Sequence, residues 1–318
     1  MLRRLLLALP LLAASAFAQT WPTKPVTIVV PFPPGGGTDA FARPLFGYLG
    51  KATGKTFNLD NRGGAGGTLG AGVAAKAVPD GHNFFMGAVH HAIAPSVYKN
   101  LSYSLEGDFV PVALVSSVPQ VIVVHPGKLP VRTLPELLAY VRANPGKLNY
   151  ASAGNGTSHH LAGELFKQQT KTFITHIPYR GAGPALQDLV AGQIELMFDG
   201  LGSSAQHIRS GSVRAIAQAA DKPAPGFANV PLAKDGGAPG YVVATWYGLW
   251  APKGTPREAV AAMQAELRKA FASEEIKAAW TQLGSEPPAL YGDDFGRFVS
   301  SETQRWAAVV KASGVKID

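Results

Sequence analysis

The chain has 318 residues, a formal net charge of +8 and no cysteine. That length supports a large buried core and two domains, and the lack of cysteine excludes both disulfides and a lipidated N-terminal cysteine. The positive charge is scattered, with no block of five like charges and no basic stripe interleaved with aromatics, so nucleic-acid binding is not expected.

In chain order, Arg3 and Arg4 form a positive n-region. Leu5 to Leu12 form a short apolar stretch, and Ala16-Phe17-Ala18 fits a signal-peptidase site. The reading is a signal peptide over residues 1–18, cleavage after Ala18 and a soluble periplasmic protein. No later run is long and uncharged enough to span a membrane.

Strand-like and helix-like segments then alternate, the pattern of an α/β fold. Strands are expected at Val26–Pro31, Phe57–Leu59, Phe84–Gly87, Val121–His125, Asn149–Ala151, Phe173–Pro178, Ile194–Phe198 and Val213–Gln218. Most are apolar runs without alternation, as in a parallel sheet covered on both faces. Thr133–Glu136 and Thr255–Glu258 read as capping boxes, with Pro256 at a first helical position. Pro44 falls inside the helix that Thr38 should start and is expected to kink it. Proline and glycine concentrate at Pro119–Pro130 and Pro223–Gly240. Those neighbourhoods suggest a discontinuous first lobe, residues 19–119 and 244–318, and a continuous second lobe, residues 120–243. Hinges are expected near Val118–Gln120 and Val243–Thr245.

Three strands empty into glycine- or serine-rich loops that open helices: Phe32–Asp39, Asn61–Thr68 and Ser152–Ser158. A helix N-terminus carries unpaired N–H groups and about half a positive charge, so it draws anions. In the first loop Pro34, Gly35, Gly36 and Gly37 expose backbone, Thr38 caps the helix with its hydroxyl toward a ligand, and Asp39 complements the dipole. In the third, Ser152, Thr157 and Ser158 offer hydroxyls, while Gly154, Asn155 and Gly156 shape the turn. Tyr179 and Gly181 lie in another strand-to-helix link, with Arg180 either facing a carboxylate or exposed. Asp199 ends a strand, where α/β sites collect. One member of each pair, His90-His91 and His159-His160, is expected to face the cleft. His90 and His159 are the candidates. No spacing suits a metal. No Gly-x-Ser-x-Gly elbow supports a nucleophilic serine, although a secreted serine-type hydrolase remains an alternative.

Taken together, Pro31–Asp39, Asn61–Gly67, Pro79–Gly81, Asp108–Pro111, Pro145–Ala151, Gly154–Thr157, His160–Phe166, Pro178–Gly181, Gln193–Asp199 and Gly248–Pro252 resemble the solute-binding proteins of tripartite tricarboxylate transporters, the Bug-type periplasmic binding proteins. The resemblance covers the whole mature chain. It implies a type II-like periplasmic binding protein, two α/β lobes closing on a small carboxylated solute. It implies no enzyme activity, no cofactor and no metal, a monomer, and delivery to a membrane permease. Family-type contacts fall on Pro34–Asp39, Ala65 and Gly66, Ser152–Ser158, Tyr179–Gly181 and Asp199. Gly63, His159 and the His90-His91 pair depart from the family pattern, so specificity does not carry over.

Overall fold

A computed structural model describes residues 21–315; the leader and its cleavage site lie outside the described residues. The elements are β1 (Val26–Val30), α1 (Gly37–Thr53), β2 (Phe57–Asn61), α2 (Thr68–Ala75), β3 (Asn83–Ala88), α3 (Val89–Val97) and β4 (Phe109–Val124). They continue with α4 (Leu134–Ala143), β5 (Asn149–Ser152), α5 (Ser158–Thr170), β6 (Thr175–Pro178), α6 (Ala182–Val190), β7 (Leu196–Gly200), α7 (Leu201–Arg209) and β8 (Arg214–Gln218). Last come β9 (Ala244–Pro252), α8 (Arg257–Ala272), α9 (Glu274–Gln282) and α10 (Gly292–Ser313).

The fold is a two-lobed α/β architecture. In one half β2, β1 and β3 are parallel and β9 is antiparallel to β3. In the other β6, β5 and β7 are parallel. β4 belongs to both halves. Its Phe109–Pro119 stretch pairs with β9, and Gln120–Val124 pairs with β7 and β8. Where β4 changes partner, Gln120 N–H donates to Val243 O and Ala219 N–H to Gln120 O, which ties the outgoing and returning chain together.

Both faces of the sheet are covered. Ile28 and Val30 pack with Phe41, Leu45 and Trp280, while Val29 packs on the other side with Phe85 and Ile93. This two-sided burial explains the apolar runs. The first two-thirds of β4 breaks that pattern. Pro111, Ser116, Ser117 and Pro119 interrupt the apolar run of β4, and the register shifts near Pro111 and Leu114 are the irregularities where a strand tolerates proline. β9 is a buried apolar run like the others, but Gly248 interrupts it among the aromatics.

Helix starts differ in detail from expectation. Thr133 Oγ1 accepts from Glu136 N–H as a cap should, but Glu136 reaches Arg132 N–H rather than Thr133. Thr255 is not a cap. Its hydroxyl donates to Pro252 O, and α8 starts after Pro256. α1 runs unbroken through Pro44, and its N-cap is Gly36, not Thr38.

Candidate functional site

Five parallel strands feed helices at their C-terminal ends: β1 to α1, β3 to α3, β5 to α5, β6 to α6 and β7 to α7. The N-termini of these helices therefore gather where ligands bind in α/β sheets. First-turn residues of four of them enclose one cavity: Gly37 and Thr38 of α1, His90 of α3, His159 of α5 and Ala182 of α6. Phe32, Gly36, Ala153 and Tyr247 complete the wall. The cavity holds about 240 Å³ of space between atoms, part of it open solvent, and only about 10 Å³ is open to the centre of a water molecule. That is room for about one water. A solvent-open groove of about 800 Å³ lies elsewhere, beside Val118–Pro119 and Ser285–Glu286. Its size does not make it the site, because no helix N-termini converge there.

The loops from the two halves touch across this cavity. Ser158 N–H donates to His90 Nδ1 at 3.0 Å, and Tyr98 Oη donates to Asn155 O at 3.1 Å. A Cβ on Gly183 would fall 2.2 Å from Pro34 O, and one on Gly66 3.1 Å from Asn155 O. Glycine is required at these lips because the backbones approach too closely for any side chain.

Several expected ligand groups instead hold the loops. Asp39 is buried and accepts from Gly35 N–H and, bidentately, from Arg43, so its charge is already matched. Ser152 Oγ bonds Gly154 and lies 2.6 Å from His176 Nε2. Thr157 caps α5 and donates to Gly154 O. Ser158 Oγ meets Gln120 and Thr245. The three hydroxyls expected at the ligand are therefore committed to protein. Tyr179 Oη donates to Asp188, away from the cavity, and Arg180 is exposed. Pro34, Gly35, Gly66, Gly154 and Asn155 form the lips rather than the wall, and Ala65, Gly156 and Gly181 do not line the wall either. Gly181 is the N-cap of α6, and Gly156 N–H donates to His160 Nδ1. Trp246 sits in the core, bonded to Glu302.

Gly36, Gly37, Thr38, His90 and His159 are the expected residues that the fold brings to the wall. Asp199 stands directly behind. It is fully buried, with Oδ2 accepting from Ser203 and Ser204 and Oδ1 left without a partner, 3.6 Å from His159 Nε2. Burial pushes the Asp199 carboxyl up to about 7, against the opposing pull of the Ser204 and Ser203 hydroxyls. Burial also pushes His159 down to about 3 and holds His90 well below the usual histidine range. His91 is structural: Nδ1 accepts from Ala88 N–H at the start of α3, and Nε2 faces Gly67 O. Among the described residues no group of three or more His, Cys, Asp or Glu side chains could hold a metal, and no helix is long and apolar enough to cross a membrane.

Tyr247, Ser203, Ser204 and Gln120 escape sequence reasoning. Tyr247 lies on β9, whose strand character the sequence hides. Ser203 and Ser204 become visible only once Asp199 is placed at the end of β7, one turn before them.

Residues 41–315 match the family model described as tripartite tricarboxylate transporter family receptor. The chain is similar to protein BugT of Bordetella pertussis, 35% identical over 308 residues, covering 96% of this chain and 94% of that one. It is similar to the solved structure of R. palustris Rpa4515 with adipate, at 35% identity and a TM-score of 0.89, covering 93% of this chain and 99% of that one. It is also similar to MatC of Rhodopseudomonas palustris with bound malate, at 35% identity and a TM-score of 0.84, covering 91% and 100%.

Proposed function

The chain belongs to the tripartite tricarboxylate transporter receptor family, of Bug type, and from that premise we propose that it captures a small carboxylate-bearing solute by closing two lobes around it. The observation that carries this reading is the convergence of four helix N-termini on one cavity whose wall holds no lysine or arginine. Exposed N–H groups at glycine-rich helix starts recognise an anion without a fixed positive charge. Adipate and malate on similar proteins support a small organic acid as the ligand class.

The lobes are residues 19–119 with 244–318, and residues 120–243. The protein is exported to the periplasm after cleavage at Ala18, works as a monomer without a cofactor, and delivers its ligand to a permease of the tripartite type or to a sensor. Ser152 beside His176 is the serine–histidine pair that a hydrolase would need. Ser152 is 0% exposed and its hydroxyl is tied to Gly154, so a binding role fits better than hydrolysis.

The test is mass spectrometry of small molecules released from the denatured purified protein, followed by thermal shifts with a panel of mono- and dicarboxylates and neutral sugars. A carboxylate at about 100 times its dissociation constant should stabilise the fold by about 2.7 kcal/mol. Shifts with sugars and none with carboxylates would overturn the reading.

A further inference from the structure

We propose that His159 and Asp199 make carboxylate capture proton-linked: the incoming anion is held by His159 as an imidazolium lying between the ligand carboxylate and the Asp199 carboxylate. This rests on the carboxylate-binding reading above and adds the groups that set its pH dependence.

The geometry singles out His159. It occupies the second position of α5, is 3% exposed and lines the cavity, yet neither ring nitrogen has a hydrogen-bond partner. Asp199 Oδ1, 3.6 Å from Nε2, is also unpartnered. Two buried polar groups left open side by side are costly unless something completes them. His90, packed edge-on at 5.3 Å, differs. Its Nδ1 accepts from Ser158 N–H, so its proton sits on Nε2 and the ring is a fixed neutral donor. Tyr247 from β9 and Thr38 from α1 are the remaining polar groups at the wall. Burial, with the Asp199 charge as the lesser cause, holds the Tyr247 phenol far above its usual range, so it stays neutral.

An anion placed in this cavity would face the Asp199 carboxylate with no lysine or arginine at the wall to offset the repulsion. An imidazolium offers two N–H donors, one toward Asp199 Oδ1 and one for the ligand. The proton has two sources. Below about pH 7 the buried Asp199 carboxyl already carries it. It then passes from Oδ1 to His159 Nε2, the O–H bond breaking as the N–H bond forms, and solution supplies none. Above about pH 7 Asp199 is ionised and one proton must come from solution for each anion bound. Affinity is therefore flat in acid and falls as pH rises.

The experiment is isothermal titration calorimetry of the full mature chain with adipate and with malate, at pH 6 and pH 8.5, each in two buffers of different ionisation enthalpy. The expected result is about one proton taken up at pH 8.5, close to none at pH 6, and affinity weakening towards tenfold per pH unit above pH 8. His159→Gln should remove both the uptake and the pH dependence. Asp199→Asn, which cannot store the proton, should bring uptake in at pH 6, and it keeps the test alive should His159→Gln not fold. Binding of either acid with no proton uptake at pH 8.5 overturns the proposal and leaves the carboxylate reading intact. If no acid of the panel binds at either pH, the carboxylate reading itself fails and takes this one with it.

Discussion

Thr38 shows how one residue's role moves once the backbone is known. Its position after three glycines suits a cap, but the helix begins a residue earlier and Gly36 takes that place with no side-chain bond. Thr38 is 3% exposed and faces the cavity instead. Thr38→Val keeps the shape and removes a donor. Carboxylate affinity should drop by about 1–3 kcal/mol, because the ligand oxygen would be left without its partner. Unchanged affinity in calorimetry would reduce Thr38 to a packing residue. The buried histidines give a second prediction. Burial holds His91 near 4, His159 near 3 and His90 well below the usual range, whereas an unfolded chain binds these protons near 6.5. The unfolded state therefore holds the extra protons below about pH 6.5, and stability falls as pH falls. Asp199 acts in the opposite sense. Its folded value is raised to about 7, so its contribution is complete below about 4 and is lost as pH rises to about 7. Burial lowers His160 and His176 as well, so five histidines act against one carboxyl and stability falls steeply from pH 6.5 to pH 5. Denaturant midpoints measured at pH 6.5 and pH 5 check it, and equal midpoints would contradict it.

At the scale of elements, the strands that end in loops were legible and the strands that join the two halves were not. β1, β3, β5 and β7 declare themselves by short apolar runs bounded by glycine or serine. β9 and the first part of β4 carry Gly248, Pro111, Pro119 and two serines, because they bend and change partners. Long-range pairing supports them, and no local pattern encodes it. The site shows the same division. Loop backbones and the paired histidines could be read from the sequence. That Ser152, Thr157 and Ser158 turn their hydroxyls to protein depends on His176, Gly154 and Gln120, which only tertiary packing brings near. The lip glycines give this level its own test. A Cβ at Gly183 meets Pro34 O at 2.2 Å and the Gly35 and Gly36 backbone at 3.3 Å, all on the facing loop, so the clash exists only while the two loops are together. Gly183→Ala should therefore spare the folding of the ligand-free protein and weaken adipate or malate binding at least tenfold. A ligand-free melting temperature that falls sharply would mean that the loops stay in contact without ligand.

For the whole molecule, the decisive fact is that the cavity is nearly filled. Space for about one water cannot take a dicarboxylate while the lips are held together by Pro34 against Gly183 and Tyr98 against Asn155. Entry requires the halves to part. The connections that can bend are few: β4 as it leaves β9 for β7 near Pro119, and the returning chain where Val243 bonds Gln120 and Ala219. A rotation there moves Gly36 and Gly37 of one half away from Ala182 and His159 of the other, and no half retains the full donor set. Closure would bring the donors back, exclude water and strengthen each charge-assisted hydrogen bond in the lowered dielectric. Two such states would differ in shape as hinge-closing proteins do. Small-angle scattering should give a larger radius of gyration for the ligand-free protein than for the protein saturated with a bound carboxylate. The saturated curve should match the closed structure described above. Identical curves with and without saturating ligand would sink hinge closure, whether both matched the closed form or neither did, while calorimetric binding in the same samples would leave the capture of a carboxylate standing.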